Sequence, residues 1–240
     1  MKKIFLFFYR IIKKFLPQKL NYFIWDIYLS NISKKSYSQY GEDLIICSYF
    51  DTHFKDKQGN YLDIGCYHPK GISNTHLLHK SGWQGVVVDI DDYKLNLFKK
   101  RRGNNIETIK GAISSNISES KLPVYKFNQP FSPYDTLSKE IAESRSKEIN
   151  ISYNIEEINQ IEINSILNKK HFDLINIDVE GIDELIINSI DFNEHKPRMI
   201  VYESFDPFSY SKTKELLDRN GYTLLFISGG SIGYVRKVIS

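Results

Sequence analysis

The chain has 240 residues, 41% of them hydrophobic and 25% charged, and a formal net charge of +3. Those values fit a globular protein with one sizeable core and exclude the disordered, fibrous and disulfide-rich classes. The charge is uneven: residues 1–40 hold eight Lys/Arg against one acid, Asp26, so a basic arm precedes a mildly acidic body, which argues against nucleic acid as the main partner.

The arm opens with KKIFLFFYRIIKKFLP, in which Phe5, Phe8, Ile12, Phe15 and Leu16 fall on one helical face. Arg10, Lys13 and Lys14 interrupt the apolar run and no small-residue cleavage site follows, so it reads neither as a signal peptide nor as a span, which takes about 20 apolar residues. Two readings stand: an interfacial helix making peripheral contact with an anionic membrane, or a helix packed on its own domain or on a second copy in a homo-oligomer. The two cysteines, Cys47 and Cys66, show no metal-ligand spacing and point to a reducing cytoplasm, with the inner face of the membrane as the arm's destination if it binds lipid.

Ser38 to Phe50 reads as an amphipathic helix, and from there strands and helices alternate. Strands are predicted at Tyr61–Ile64, Val86–Ile90, Ile106–Lys110, Leu174–Ile177, Met199–Tyr202, Thr223–Ile227 and Ser231–Val235. Seven strands with crossover helices predict an α/β fold whose mostly parallel sheet is covered on both faces. Gly229 and Gly230 leave too short a link for a crossover, so the last two strands should form an antiparallel hairpin. Ser114 to Asn159, with Pro123, Pro130 and Pro133, is the least regular stretch and reads as a long insertion covering the substrate. The organisation is then an arm over 1–36 and one domain over 37–240.

The stretch YLDIGCYHP, Tyr61 to Pro69, runs an apolar strand into an acid and a glycine, the form a parallel strand takes when its carboxyl end holds a nucleotide-like ligand. A second strand, GVVVDID, also ends in acid, and Asp89 at its tip can accept from ribose hydroxyls. Dinucleotide sites need three glycines for a pyrophosphate at a helix N-terminus, whereas here Gly65 is followed by Tyr67, His68 and Pro69. A nucleoside with an amino-acid tail and no phosphate fits better, which favours S-adenosylmethionine over NAD. Asp63 can accept from that cofactor's ammonium, Gly65 lets the backbone approach it, and Ser38, Gln39, Asn74 and Thr75 are polar groups expected above the same strand ends.

The other loaded piece is NIDVEGID, where Asp178 and Glu180 follow an apolar strand at i and i+2 and so can share a side facing the cleft. Glu203 holds the matching end of the next strand. Three neighbouring carboxylates call for something positive between them: a sulfonium, a Lys/Arg or a divalent metal. Either a carboxylate or His68 acts as base toward an acceptor hydroxyl, or Mg or Mn held by Asp178 and Glu203 lowers the hydroxyl's pKa. His53, His76, His79, His171 and His195 have no ligand spacing.

These pieces, taken in order, resemble the FkbM family of S-adenosylmethionine-dependent O-methyltransferases: SQYGED (Ser38–Asp43), YLDIGCYHP, SNT (Ser73–Thr75), GWQGVVVDID (Gly82–Asp91), KGAIS (Lys110–Ser114), FDLINIDVEGIDELIINSIDF (Phe172–Phe192) and PRMIVYES (Pro197–Ser204). Cys66 stands where the family usually has alanine, and the usual second glycine is absent. The resemblance implies a Rossmann-like class I methyltransferase with catalytic Asp178, Glu180 and His68. It implies a cofactor site built from Gln39, Asp63, Gly65, Cys66, Asn74, Asp89, Ile90 and Ala112. The implied reaction is methylation of a small-molecule hydroxyl, most often a sugar of a polysaccharide or natural product. The basic arm adds a preference for a phosphorylated or lipid-carried sugar. A catalytically idle scaffold of the same fold and an NAD-linked sugar oxidoreductase are the alternatives.

Overall fold

The structure, a computed structural model, describes residues 11, 15–17, 19–20, 23–24, 35–54, 58–114, 120–129, 131–179 and 181–237. Phe5, Phe8 and Ile12, on which the interfacial-helix expectation partly rests, lie outside the described residues. The chain divides into two compact units, Met1–Lys35 and Ser36–Ser240. In the first unit the described Ile11, Phe15, Leu20 and Phe23 are exposed. Among the described residues no helix is long and apolar enough to cross a membrane.

The second unit is built on a seven-stranded sheet of order β3-β2-β1-β7-β8-β10-β9. Its parallel strands are β1 (Asn60–Ile64), β2 (Gln84–Asp89), β3 (Ile106–Lys110), β7 (Leu174–Ile177) and β8 (Met199–Glu203). β9 (Tyr222–Ser228) and β10 (Ser231–Arg236) form the expected hairpin, and β10 pairs antiparallel with β8. Buried runs such as Val86–Val88 and Leu174–Ile177 make these strands, because a sheet covered on both faces rewards β-branched residues at every position.

Side-chain alternation sorts the core into two layers. Leu62, Ile64, Val88, Ile175, Ile177 and Ile200 point to one face, against α5 (Ile163–Leu167), α6 (Asp183–Asn188) and α7 (Lys212–Arg219). Tyr61, Val87, Leu174, Met199 and Val201 point to the other, against α1 (Glu42–His53), α2 (His76–Lys80) and α3 (Asp92–Arg102). Each fully buried Ile, Leu or Val contributes about 1.5–3 kcal/mol by leaving water. Trp83 packs edge-on against Phe50 in the second layer, at 4.7 Å between ring centroids.

Among its described residues, the stretch expected to be least regular holds regular elements. β4 (Ala112–Ile113), β5 (Lys121–Phe127) and β6 (Tyr153–Ile161) form a separate sheet of order β4-β6-β5, with α4 (Lys139–Ile149) between β5 and β6. Pro123 sits on β5, an edge strand, where a missing N–H is tolerated. β6 is largely exposed, so it carries none of the apolar alternation that betrays a strand in sequence.

Candidate active site

A cavity of about 310 Å³ opens at the carboxyl ends of the parallel strands, lined by Gly65, Asp89, Ile90, Ala112, Asp178 and Glu203 among others. Its size is at the lower end of the roughly 300–1,000 Å³ of small-ligand pockets. Gly65 adopts φ 77°, and a Cβ there would stand 1.7 Å from the Asp178 carbonyl oxygen, so only glycine lets the tips of β1 and β7 meet. The backbones are joined there: Gly65 N–H donates to the Val88 carbonyl at 2.9 Å, and Asp178 N–H to the Ile64 carbonyl at 2.9 Å.

Asp89 is 6% exposed and its carboxyl is pushed up to about 6, first by burial and with Lys94 pulling the other way. One of its oxygens accepts from Asp91 N–H at 2.9 Å, and the other lies 4.0 Å from Lys94 Nζ. Asp91 caps α3, accepting from the N–H of Tyr93 and Lys94. This cap orients the helix turn that turns Lys94 inward, where its ammonium donates to the Ser132 carbonyl at 3.3 Å and sits 5.3 Å from the Tyr67 ring. Ser132, Pro133, Asp135, Thr136 and Leu137 bring the insertion to the same cavity. Tyr67, Ile72 and Phe131 hold left-handed backbone, at φ 36°, 51° and 51°. Such strain in non-glycine residues costs about 1–3 kcal/mol each and concentrates at functional sites.

Of the residues anticipated from sequence, Gln39, Gly65, Asp89, Ile90, Ala112, Asp178 and Glu203 line the cavity. Ser38, Asp63, Cys66, His68, Asn74 and Thr75 lie off that lining. Asp63 is buried beneath it, one carboxylate oxygen accepting from Thr75 Oγ1 at 2.6 Å and the other from Asn176 Nδ2 at 2.9 Å. Strand alternation turns Asp63 to the face of α3, where Arg102 supplies the opposing charge. Asn74 donates to Asn176 Oδ1 at 3.0 Å, and Cys66 is buried in the second core layer. His68 Nδ1 accepts from the N–H of Gly71 at 2.8 Å and of Lys70 at 3.2 Å, which makes it a turn residue. Glu180 lies outside the described residues.

Sequence reasoning passed over Lys94 and Asp183. A lysine inside a charged helix reads as solvated, and an acid in a helix's first turn reads as a dipole partner. Asp183 instead is 3% exposed and bridges two strand ends: its carboxylate accepts from the N–H of Val179, Gly181 and Glu203, each at 3.4 Å. Burial pushes its carboxyl up to about 7, against the lowering effect of the Glu203 N–H.

A second cavity of about 240 Å³ adjoins the first at Glu203 and is lined by Gly181, Asp183, Glu184, Leu185, Phe205 and Asp206 as well. For a metal, the donor set is thin. Among the described residues no group of three or more His, Cys, Asp or Glu could hold an ion.

A family profile described as "Methyltransferase FkbM domain" matches residues 63–224, more than half of the chain. The chain belongs to the FkbM methyltransferase family. The FkbM domain is accordingly a S-adenosylmethionine-dependent methyltransferase domain, and the NAD alternative falls away. Comparison with curated proteins gives no significant match. Among solved structures, the O-methyltransferase from Bacillus cereus in complex with SAH is 14% identical with a TM-score of 0.43, covering 95% of this chain and 96% of that one. A putative caffeoyl-CoA O-methyltransferase from Staphylococcus aureus is 11% identical with a TM-score of 0.44, covering 96% and 98%. A TehB-like SAM-dependent methyltransferase from Corynebacterium glutamicum is 15% identical with a TM-score of 0.41, covering 90% and 97%.

Proposed function

We propose that the chain transfers the methyl group of S-adenosylmethionine to a hydroxyl of a sugar belonging to a polysaccharide or glycoconjugate precursor. The observation that carries this reading is one cavity running from Asp89 at the tip of β2 to Asp178 and Glu203 at the tips of β7 and β8. Asp89 suits the ribose diol, Ile90 and Ala112 the adenine, and Gly65 the close approach of the methionine part. The acids at the far end face where a sulfonium would sit, and opposite charge in a half-buried cleft is worth more than in water.

In the transfer, the acceptor oxygen attacks the methyl carbon in line. The C–O bond forms as the C–S bond breaks, S-adenosylhomocysteine leaves neutral, and the hydroxyl proton passes to a carboxylate. Asp178 and Glu203 are the described candidates for that base, and Glu180 joins them on its sequence position alone. Asp183, its carboxyl taken up by three backbone N–H groups, positions both strand ends.

The adjoining cavity suits the acceptor. Phe205, 73% exposed, offers a flat apolar face for a sugar ring, and Glu203, Glu184 and Asp206 offer acceptors for its hydroxyls. With no Lys or Arg among its described lining residues, this wall favours a neutral sugar over a phosphorylated one. The test is methyl transfer from labelled cofactor to matched neutral and phosphorylated sugars. Transfer to hydroxyls of neutral sugars is expected; transfer confined to phosphorylated sugars, or to nitrogen acceptors, would overturn the assignment.

A further inference from the structure

The motif SQYGED is unusual in spending two acids on positions that water never reaches: Asp43 is 0% exposed and Glu42 is 1% exposed. Burying a carboxylate costs several kcal/mol unless its oxygens are filled. Asp43 fills them from the segment just before it. Its Oδ1 accepts from Ser36 Oγ at 2.7 Å and Ser38 Oγ at 2.9 Å, and its Oδ2 from Tyr37 N–H at 2.7 Å. Ser38 Oγ in turn accepts from the N–H of Gly41 at 3.1 Å and of Asp43 at 3.2 Å. Glu42 accepts from Tyr40 N–H at 2.8 Å.

The result is a closed loop over residues 36–43, with Gly41 in the left-handed region at φ 92° to make the reversal before α1. Two further ties anchor it to the rest of the fold. Tyr37 carbonyl accepts from Ser73 N–H at 2.9 Å on one side, and Tyr40 carbonyl accepts from Ser228 Oγ at 3.3 Å on the other. The Tyr40 ring lies against Gly229, where a Cβ would come within 2.3 Å of it. Between the ties, Gln39 lines the cavity together with Gly65, Asp178 and Glu203, its Nε2 donating one N–H to Tyr40 OH at 3.2 Å and keeping the second for a ligand. Both acids of the motif are taken up by the loop's own hydroxyl and N–H groups, and among its residues only Gln39 lines the cavity.

We propose that the Ser36–Asp43 loop is a strap whose buried carboxylate holds the Gln39 amide at the methionine end of the cofactor, making Asp43 a positioning residue for cofactor binding. A Gln amide supplies an N–H donor for the cofactor's carboxylate without adding charge beside the sulfonium. Asp43 never meets the cofactor; it acts through Gln39. The proposal rests on the cavity being the cofactor's, which Asp89→Ala tests on its own.

The experiment is calorimetric titration of S-adenosylmethionine into the full chain and its variants, each first shown to unfold cooperatively. Gln39→Ala removes one hydrogen bond and is expected to weaken binding about 3–10-fold. Asp43→Asn, whose amide opposes the Tyr37 N–H, is expected to weaken it by a similar factor. The double variant should bind no worse than the weaker single one, because both act on one contact. Ser38→Ala, which keeps the buried acid but removes a donor, should behave as a milder Asp43→Asn and serves if that variant does not fold. Normal affinity in Asp43→Asn or, where that variant does not fold, in Ser38→Ala, or full additivity with Gln39→Ala, would overturn the strap. Unchanged affinity in Asp89→Ala would instead overturn the cavity assignment beneath it.

Discussion

The Asp183 carboxylate accepts a hydrogen bond from the backbone N–H of Glu203 at 3.4 Å, while the same side chain also accepts from Val179 N–H. One buried side chain therefore sets the spacing between the exit of β7 and the tip of β8, the two places where the candidate catalytic acids stand. Asp183→Ala should lower turnover by about 10²-fold, the scale on which misplacement by an ångström acts, while cofactor affinity stays within a few-fold. Turnover and calorimetric affinity measured on the same preparation check this.

The same group carries a pH signature. Its carboxyl is raised from 3.8 to about 7, so the native state holds the proton more tightly than the unfolded chain. Its contribution is then largest below about pH 4 and is lost as pH rises to about 7. Asp183→Asn cannot ionise, so its melting temperature should fall less than that of the wild type between pH 5 and pH 8, a comparison open to calorimetry.

Asp89 predicts a second dependence of opposite practical sense. Only the ionised carboxylate accepts from both ribose hydroxyls, and burial has raised its pKa to about 6. Cofactor affinity should therefore be flat above about pH 7 and fall roughly tenfold per unit well below pH 6. Lys94, Asp91 and Asp135 are the charges that set this value, and Asp89→Asn should abolish the inflection and bind weakly throughout. Titrations from pH 5 to pH 8 decide it.

Arg102 ties the cofactor-side loop to the sheet from below. It is 4% exposed and donates to Tyr61 OH at 2.8 Å, Thr75 Oγ1 at 2.9 Å, Ser73 Oγ at 2.9 Å and the Pro69 carbonyl at 3.0 Å. Removing it takes away four hydrogen bonds and the charge that opposes buried Asp63, so Arg102→Met should cost about 3–5 kcal/mol in chemical denaturation. Lysine cannot reproduce the fork, and Arg102→Lys should recover only part of that loss.

How much of this was legible in the sequence depends on how each signal is written. The central strands of the main sheet announce themselves because Val86–Val88 and Leu174–Ile177 are buried on both faces, and the acids at their ends are abrupt. β6, with four consecutive exposed residues, carries no such mark, so the second sheet stayed hidden inside what reads as an irregular insertion. The cavity-facing acids were legible as strand-tip residues. Asp63 was read toward the ligand because a motif gives spacing and not side-chain direction; Thr75 and Asn176, which claim its oxygens, come from segments 12 and 113 residues away. Lys94 was illegible for the same reason, its burial being a property of the insertion that covers it.

The arm makes a prediction independent of the site. Its eight Lys/Arg within residues 1–40 should hold the full chain on vesicles of anionic lipid. Each basic residue near such a surface contributes about 1 kcal/mol. A chain beginning at residue 36 should stay in the supernatant yet bind S-adenosylmethionine as the full chain does. Equal sedimentation of the two would remove the arm's membrane role and leave assembly as its use.

The central claim is that the acids at the tips of β7 and β8 face the transferred methyl, and a crystal structure of the full chain with S-adenosylhomocysteine tests it most directly. The account predicts ribose hydroxyls on Asp89, the sulfur beside Gly65, and Asp178 and Glu203 as the carboxylates on its open side. A sulfur whose open side faces away from both acids, or a ribose seated away from Asp89, would contradict it.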